Sequence, residues 1–336
     1  MTADESMLMI SGLTVIFKQR RQVSPLRAVD QVSFQIPAAQ TVALVGESGS
    51  GKSTIGNAIL GLVPVESGSV VFGGHQIAGP GTADRAFISK HVQVVFQNPY
   101  GSLNPSRTIG ETLVEPLMVH RKMSGAAMRE EVAQMLERVG LPRDAAQRYP
   151  ARFSGGQRQR IAIARAMINA PDLVVCDEAV SALDLSVQAQ ILNLLAELQH
   201  QQGLSYLFIS HDIAVVRHVA DQVVVLYHGR VMEQGLAAAV CDAPRHPYTR
   251  ALFLAAPVAD PSVQRARARA RREWVKPSEG ISSQAAGCPF APRCPLAIAR
   301  CVQERPELRL TASGSLAACH LEKQIPPLDF EALWPS

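Results

Sequence analysis

Gly46-Glu47-Ser48-Gly49-Ser50-Gly51-Lys52-Ser53-Thr54 is the stretch that decides the fold. Gly46, four residues and then Gly51-Lys52-Ser53 is the spacing of a phosphate-binding loop. Glycines let consecutive backbone N–H groups turn inward around a phosphate, where a Cβ would clash or resist positive φ. Lys52 adds a point charge for the β- and γ-phosphates, and the Ser53 hydroxyl can ligate Mg²⁺. The flanks agree with this reading. Thr41–Val45 reads as a buried strand, and 53–62 reads as a helix whose positive N-terminus faces the anion. The stretch therefore implies a site for a nucleoside triphosphate, ATP or GTP.

The rest of the chain narrows the class. Its 336 residues suggest about two domains. At 47% hydrophobic and 18% charged, the composition is that of an ordinary globular protein. A formal charge of +4, with no basic stripe interleaved with aromatics, argues against nucleic acid. The acidic start Met1-Thr2-Ala3-Asp4-Glu5-Ser6 lacks the features of a signal peptide. No apolar run approaches the roughly 18 residues needed to span a bilayer. The expectation is a cytosolic chain that reaches the membrane only through a partner.

Outward from the loop, 8–17 and 28–36 read as strands, as do 69–72 and 91–96. From 108 to 148 the pattern is helical, with Met128, Val132, Met135 and Val139 forming an apolar stripe. Phe153-Ser154-Gly155-Gly156-Gln157 then opens a helix to about residue 168. Leu173–Asp177 is an apolar strand that ends on the paired carboxylates Asp177-Glu178. Residues 187–198 continue as a helix, 205–209 as a buried strand, and Asp212 is placed to cap the next helix. Residues 222–227 and 231–234 read as a hairpin. Strands alternating with helices imply a mainly parallel sheet with antiparallel strands at the start. Beyond residue 240, His246-Pro247-Tyr248-Thr249 opens a short helix to about residue 256. Arg265, Arg267, Arg269, Arg271 and Arg272 read as a solvated linker rather than a phosphate or lipid contact.

With Ser154-Gly155-Gly156-Gln157, Asp177-Glu178 and Ser181-Ala182-Leu183-Asp184 in place, the sequence resembles the ATP-binding-cassette ATPases over roughly 8–234. The order of phosphate loop, Gln97, signature, carboxylates, Asp184 and His211 matches that family. The resemblance implies an α/β fold of the P-loop NTPase type with three additions: an N-terminal antiparallel β subdomain, a helical subdomain inserted at about 100–165, and a small C-terminal Cys-rich extension. The boundaries implied are 1–240 for the ATPase domain and 241–336 for the extension.

At the end of its apolar strand, Asp177 can hold the Mg²⁺ shell beside Ser53. The resemblance implies that Glu178 is the catalytic carboxylate, that His211 bonds the γ-phosphate, and that Gln97 contacts Mg²⁺ or the attacking water. Phe17 can stack on adenine or sit in the core. Ser154, Gly155, Gly156 and Gln157 lie at a helix N-terminus, an anion site. In the resembled family the signature closes over nucleotide bound to a second ATPase subunit, so the working unit has two such chains. Asp184, which follows the carboxylates in the family's motif order, is expected among the nucleotide-binding residues. Phe153 stands where Leu is common, and Ala179 where Pro usually follows the Glu, a change that can loosen the turn presenting Glu178.

Cys288, Cys294, Cys301 and Cys319 are separated by five, six and seventeen residues, and His320 follows. In a cytosolic protein such a cluster argues for a metal over disulfides. The chemistry leaves an iron–sulfur cluster and tetrahedral Zn²⁺ both open. Here 246–249 and 288–294 resemble the C-terminal extension of dipeptide, oligopeptide and nickel importer ATPases, for which a [4Fe–4S] cluster is implied in some members.

That family implies a peripheral ATPase on the cytoplasmic face of the inner membrane, with a paralogous ATPase, two membrane permease subunits and an extracytoplasmic solute-binding protein as partners. The segment from Gln97 through Pro105 to about Pro116 is expected to receive the permease. Peptides lead as cargo over nickel, opines and sugars. The rival reading is a soluble superfamily member acting on DNA or ribosomes. It predicts a second cassette or a long coiled coil, and the sequence has neither.

Overall fold

Two sheets organise the chain, and the phosphate-loop stretch springs from the middle strand of one of them. The structure, a computed structural model, describes residues 6–18, 25–258, 260–275 and 286–325. Residues 1–5 and most of the 18–27 connection lie outside the described residues.

The first sheet is antiparallel. It comprises β1 (Ser6–Phe17), β2 (Leu26–Pro37), β4 (Ser67–Phe72), β5 (His75–Gly79) and β6 (Thr82–Ala83), in the order β2-β1-β4-β5-β6. The second sheet is built around β3 (Thr41–Val45), every residue of which is buried. Parallel pairing joins it to β10 (Gln222–Tyr227) on one side and β9 (Ser205–Ile209) on the other. β8 (Leu173–Asp177) and β7 (Val92–Phe96) continue the parallel run. Strands with helices on both faces carry near-continuous Val/Ile/Leu runs rather than alternation, and these do. β11 (Arg230–Leu236) closes an antiparallel hairpin with β10.

Helix α1 (Lys52–Ile59) follows β3 directly, and α2 (Arg85–His91) leads into β7. The inserted helical region holds α3 (Pro99–Ser102), α4 (Ile109–His120), α5 (Gly125–Arg138) and α6 (Gly155–Met167). The helical stretch expected over 108–148 is therefore broken at 121–124. Each piece has its own N-cap: Thr108 in a reciprocal capping box with Glu111, and Ser124 accepting from the Ala127 N–H. The Val132–Met135–Val139 stripe is core, at most 2% exposed, and packs with Leu113, Ile161 and Leu195. α7 (Leu185–Gln202) and α8 (Ile213–Val219) complete the cassette, α8 capped by Asp212 as its position predicts.

Beyond β11 come α9 (Ala237–Asp242), α10 (Pro247–Ala255), α11 (Pro261–Trp274) and α12 (Ala299–Gln303). The basic run is a helix rather than a linker. Asp260 caps it, Pro261 sits in its first turn, and Ala and Arg are strong helix formers. Arg267 turns inward, 1% exposed, and its guanidinium donates to the Phe253 carbonyl of α10. The extension also joins the main sheet. β13 (Leu316–Ala317) pairs with β11, and β12 (Arg309–Leu310) pairs with β13.

Candidate active site

The parallel strands β3, β8 and β9 end on one edge, and the chemistry collects there. Immediately after β3 the chain turns at Gly46. A Cβ at this position would lie 2.2 Å from the Leu226 carbonyl oxygen of β10, so only glycine passes. Further on, Gly51 takes φ 101° and starts α1. Lys52 is 6% exposed, and its Nζ donates to the carbonyls of Gly46 at 2.8 Å and Glu47 at 3.0 Å. Burial lowers its pKa, opposed by the carboxylates of Glu178 and Asp177. The ammonium is thus held inside the loop, facing two carboxylates and partly stripped of water.

Ser53 Oγ donates to Asp177 Oδ1 at 3.0 Å. Burial raises the Asp177 pKa, with the Ser53 bond acting against it. A desolvated carboxylate beside a hydroxyl, both oxygen donors, is the set a hard cation such as Mg²⁺ takes, so these residues fit the ion.

Glu178 stands one residue past β8 with φ 50°, in the left-handed region that non-glycine residues rarely adopt. Its N–H donates to the Ile209 carbonyl at 3.0 Å, and its own carbonyl accepts from the Ser181 N–H at 3.1 Å and the Ser181 hydroxyl at 3.0 Å. These bonds hold the turn in the absence of a proline at 179, and Ala179 is buried beneath it. One carboxylate oxygen of Glu178 lies 3.2 Å from His211 Nδ1. Gln97, just past β7, donates through Nε2 to Ser181 Oγ at 3.2 Å. Lys52, Ser53, Gln97, Asp177, Glu178 and His211 therefore form one connected constellation. It can grip a polyphosphate, hold a divalent cation and orient a water.

Phe17 ends β1 and is 37% exposed, so its ring is not in the core. Ser154 caps α6 in a reciprocal box with Gln157, whose backbone N–H it accepts at 3.3 Å. Gly156 lets α7 approach: a Cβ there would meet Val187 Cγ1 at 2.6 Å. Asp184 caps α7 by accepting from the Val187 N–H at 2.9 Å.

Two residues that motif reading did not single out touch the loop. Tyr248 Oη accepts the Glu47 N–H at 2.9 Å, and Arg293 forks the Glu47 carboxylate. Tyr248 lies in a stretch read as a helix start and Arg293 beside a candidate metal-ligating cysteine, and neither side chain carries a local signal for the loop.

Cys288, Cys294, Cys301 and Cys319 line one small cavity with His246 and His320. Burial pushes Cys288 up to about 11, and Cys294 and Cys319 up to about 12, each also raised by neighbouring thiols. Among the described residues, however, no group of three or more His, Cys, Asp or Glu is gathered to hold a metal ion. The expected four-ligand site is therefore seen as four thiols around a shared cavity, not as a set closed on one ion.

Comparison with known proteins places this geometry. Residues 29–181 match the family described as ABC transporter, and 232–301 match the oligopeptide/dipeptide transporter C-terminal region. The chain is 47% identical to the di/tripeptide transport ATP-binding protein DppF of Pseudomonas aeruginosa, over 92% of this chain and 93% of that one. It is 45% identical to the dipeptide transport ATP-binding protein DppF of Haemophilus influenzae, over 90% and 91%. Among solved structures, the dimeric post-hydrolysis state of the cassette MJ0796 bound to ADP and Pi superposes with a TM-score of 0.61 at 29% identity, over 69% of this chain and 99% of that one. The cassette cbiO1 of Clostridium perfringens, part of the transporter complex cbiONQ, gives 0.61 at 25% identity, over 70% and 90%.

Proposed function

We infer from the family to which this chain belongs, the ATP-binding-cassette transporter ATPases with an oligopeptide/dipeptide-type C-terminal region, that it is the ATP-hydrolysing subunit of an importer. The observation that carries the reading is the single constellation in which Lys52, the Ser53–Asp177 pair and the Glu178–His211 pair meet. A binding module needs the first two. The third adds a carboxylate and an imidazole where a water can be activated.

In this mechanism the loop 46–53 and Lys52 bind the β- and γ-phosphates. Ser53 and Asp177 would hold Mg²⁺, which would supply positive charge to neutralise the phosphates. Glu178, fixed by its left-handed turn, accepts a proton from the attacking water. His211 holds that carboxylate and donates toward the γ-phosphate. Gln97, through Ser181, links the site to the inserted helices. Phe17 stacks on adenine. Ser154, Gly155, Gly156 and Gln157 complete the site of a partner ATPase, and Asp184 is counted with the nucleotide-binding residues.

The cargo reading is a di- or tripeptide, by analogy with the two named relatives. Nickel, opines and sugars are the alternatives. The assembly proposed is this chain, a paralogous ATPase, two permease subunits that meet the surface around 97–116, and an extracytoplasmic solute-binding protein. In that assembly it sits peripherally on the cytoplasmic face of the membrane. No helix among the described residues is long and apolar enough to cross one. The domain reading remains an ATPase unit over 1–240 and an extension over 241–336.

For the extension we propose a [4Fe–4S] cluster held by Cys288, Cys294, Cys301 and Cys319, in preference to zinc. The lining of one cavity by all four cysteines supports a shared group. Iron, sulfide and zinc analysis of anaerobically purified protein decides between them. The cargo is tested by ligand binding to the cognate solute-binding protein. Di- and tripeptides bind if the reading holds, and exclusive binding of nickel or a sugar overturns it.

A further inference from the structure

Glu47, the second residue of the phosphate loop, is held by the C-terminal extension through its backbone and its side chain. Its N–H donates to Tyr248 Oη at 2.9 Å. Its carboxylate takes a two-point fork from Arg293, Nη1 to Oε2 and Nη2 to Oε1, both at 2.9 Å. Its carbonyl accepts from Lys52 Nζ at 3.0 Å. One residue thus ties the phosphate-binding ammonium to a segment 246 positions away in sequence.

The extension's side of this contact is built to be rigid. The Arg293 guanidinium lies 5.6 Å from the Phe290 ring centre and 5.8 Å from that of Tyr227, and Nη1 also reaches Tyr227 Oη at 3.3 Å. Tyr248 is 1% exposed, its ring 4.5 Å from Tyr227 and 5.4 Å from Phe290. The same two aromatic rings, Tyr227 and Phe290, flank both the arginine and the tyrosine. A planar fork on a fixed mount sets orientation as well as distance. The pair is part-exposed, at 36% for Arg293 and 41% for Glu47, so its worth lies more in holding the loop open than in raw stability.

We propose that Arg293 and Tyr248 are positioning residues for the nucleotide site, through which the C-terminal extension holds the phosphate loop in its binding-competent shape. The proposal rests on reading 46–54 as the ATP site. Neither residue touches the phosphates. Both act through Glu47 on the loop and on Lys52. A loop held in place beforehand loses less freedom on binding, so the effect falls on nucleotide affinity and not on the chemical step.

The test is equilibrium binding of a fluorescent ATP analogue with Mg²⁺ to the full-length chain, alongside hydrolysis at saturating ATP by the chain in its transporter assembly. The variants are Arg293→Ala, Glu47→Ala, the two combined, Tyr248→Phe and Arg300→Ala. Arg300 forks Glu304 on the same extension, away from the loop, and serves as the control. Arg293→Ala and Glu47→Ala should each weaken binding about three- to fivefold, a part-exposed ion pair's worth, and Arg293→Ala should retain the turnover rate at saturation. The double variant should be no weaker than either single, Tyr248→Phe should weaken binding similarly, and Arg300→Ala should match wild type. Wild-type affinity in Arg293→Ala, or effects of Arg293→Ala and Glu47→Ala that multiply, overturns the proposal. If Arg293→Ala does not fold, Glu47→Ala carries the test from the loop side, and wild-type affinity there overturns it equally. A wild-type chain that binds no ATP overturns the nucleotide reading together with this one.

Discussion

Ser53 Oγ donates to Asp177 Oδ1 across 3.0 Å, although 124 residues separate them in the chain. The contact exists because β3 and β8 both run parallel to β9 and end on the same edge of the sheet. It brings the start of α1 to a carboxylate at the foot of a buried strand. Replacing Ser53 with Ala removes one oxygen and leaves Asp177 without its donor. The Mg²⁺ concentration for half-maximal ATP hydrolysis should rise at least about tenfold, and chelation of divalent ions should stop hydrolysis. Unchanged Mg²⁺ dependence in the variant would count against the assignment of this pair.

Lys52 Nζ is buried and bonded to two loop carbonyls. Its charge-assisted bonds to phosphate are worth ~1.5–3 kcal/mol, so Lys52→Ala should weaken ATP binding roughly 10- to 100-fold. Titration with a fluorescent ATP analogue reads this directly. Affinity within a factor of two of wild type would remove Lys52 from the phosphate site.

His211 Nδ1 and Glu178 Oε1 lie 3.2 Å apart. Loss of the imidazole removes both the holder of the carboxylate and a donor to the γ-phosphate. His211→Ala should lower kcat on the order of 10²-fold while ATP affinity stays within about threefold. A matching loss in both would mean that His211 binds ground state and transition state alike.

Glu233, in β11, is fully buried and accepts from the Arg245 N–H at 2.8 Å, the His246 N–H at 2.9 Å and the Ser315 hydroxyl at 2.9 Å. It is the polar hub on which the extension is anchored to the sheet. Glu233→Ala leaves two backbone donors without their acceptor and should cost about 3 kcal/mol in urea denaturation. A cost under about 1 kcal/mol would show that solvent reaches those donors.

The Arg293 fork lowers the Glu47 carboxyl below its ordinary 4.5, against the opposing effect of burial. A carboxyl with a depressed folded-state pKa binds fewer protons folded than unfolded, so its contribution to stability is fully present above pH 4.5 and disappears as pH falls through the lowered value. Glu47→Ala should therefore flatten stability against pH only below about pH 4.5, with no added slope between pH 5 and 8. Acid unfolding followed by circular dichroism measures this, and a new slope near neutrality would contradict it.

What the sequence makes legible follows the range of the interactions. Thr41–Val45 and 46–54 are specified locally, by an apolar run and by glycines that a neighbouring carbonyl excludes from carrying a side chain, and they lie where the pattern predicts. Asp177 and Glu178 are legible because they end an apolar strand. The β5–β6 hairpin went unread because its strands are five and two residues long and weakly patterned. Weighing charge above propensity hid α11, although Asp260-Pro261 marks its start. The grip of Arg293 and Tyr248 on Glu47, and the pairing of β13 with β11, join segments far apart in the chain, and no local pattern encodes such a pairing.

The central claim is that Glu178 is the general base of an ATP-hydrolysing site in a transporter assembly. Phosphate release should be measured from the membrane-embedded complex carrying wild-type chain or Glu178→Gln, with ATP binding followed in parallel. The wild type should hydrolyse ATP, and Glu178→Gln should bind ATP normally while hydrolysing it on the order of 10²- to 10⁴-fold more slowly, the worth of a positioned base. Equal phosphate release from the two, or none from wild type in the assembled complex, would contradict the account.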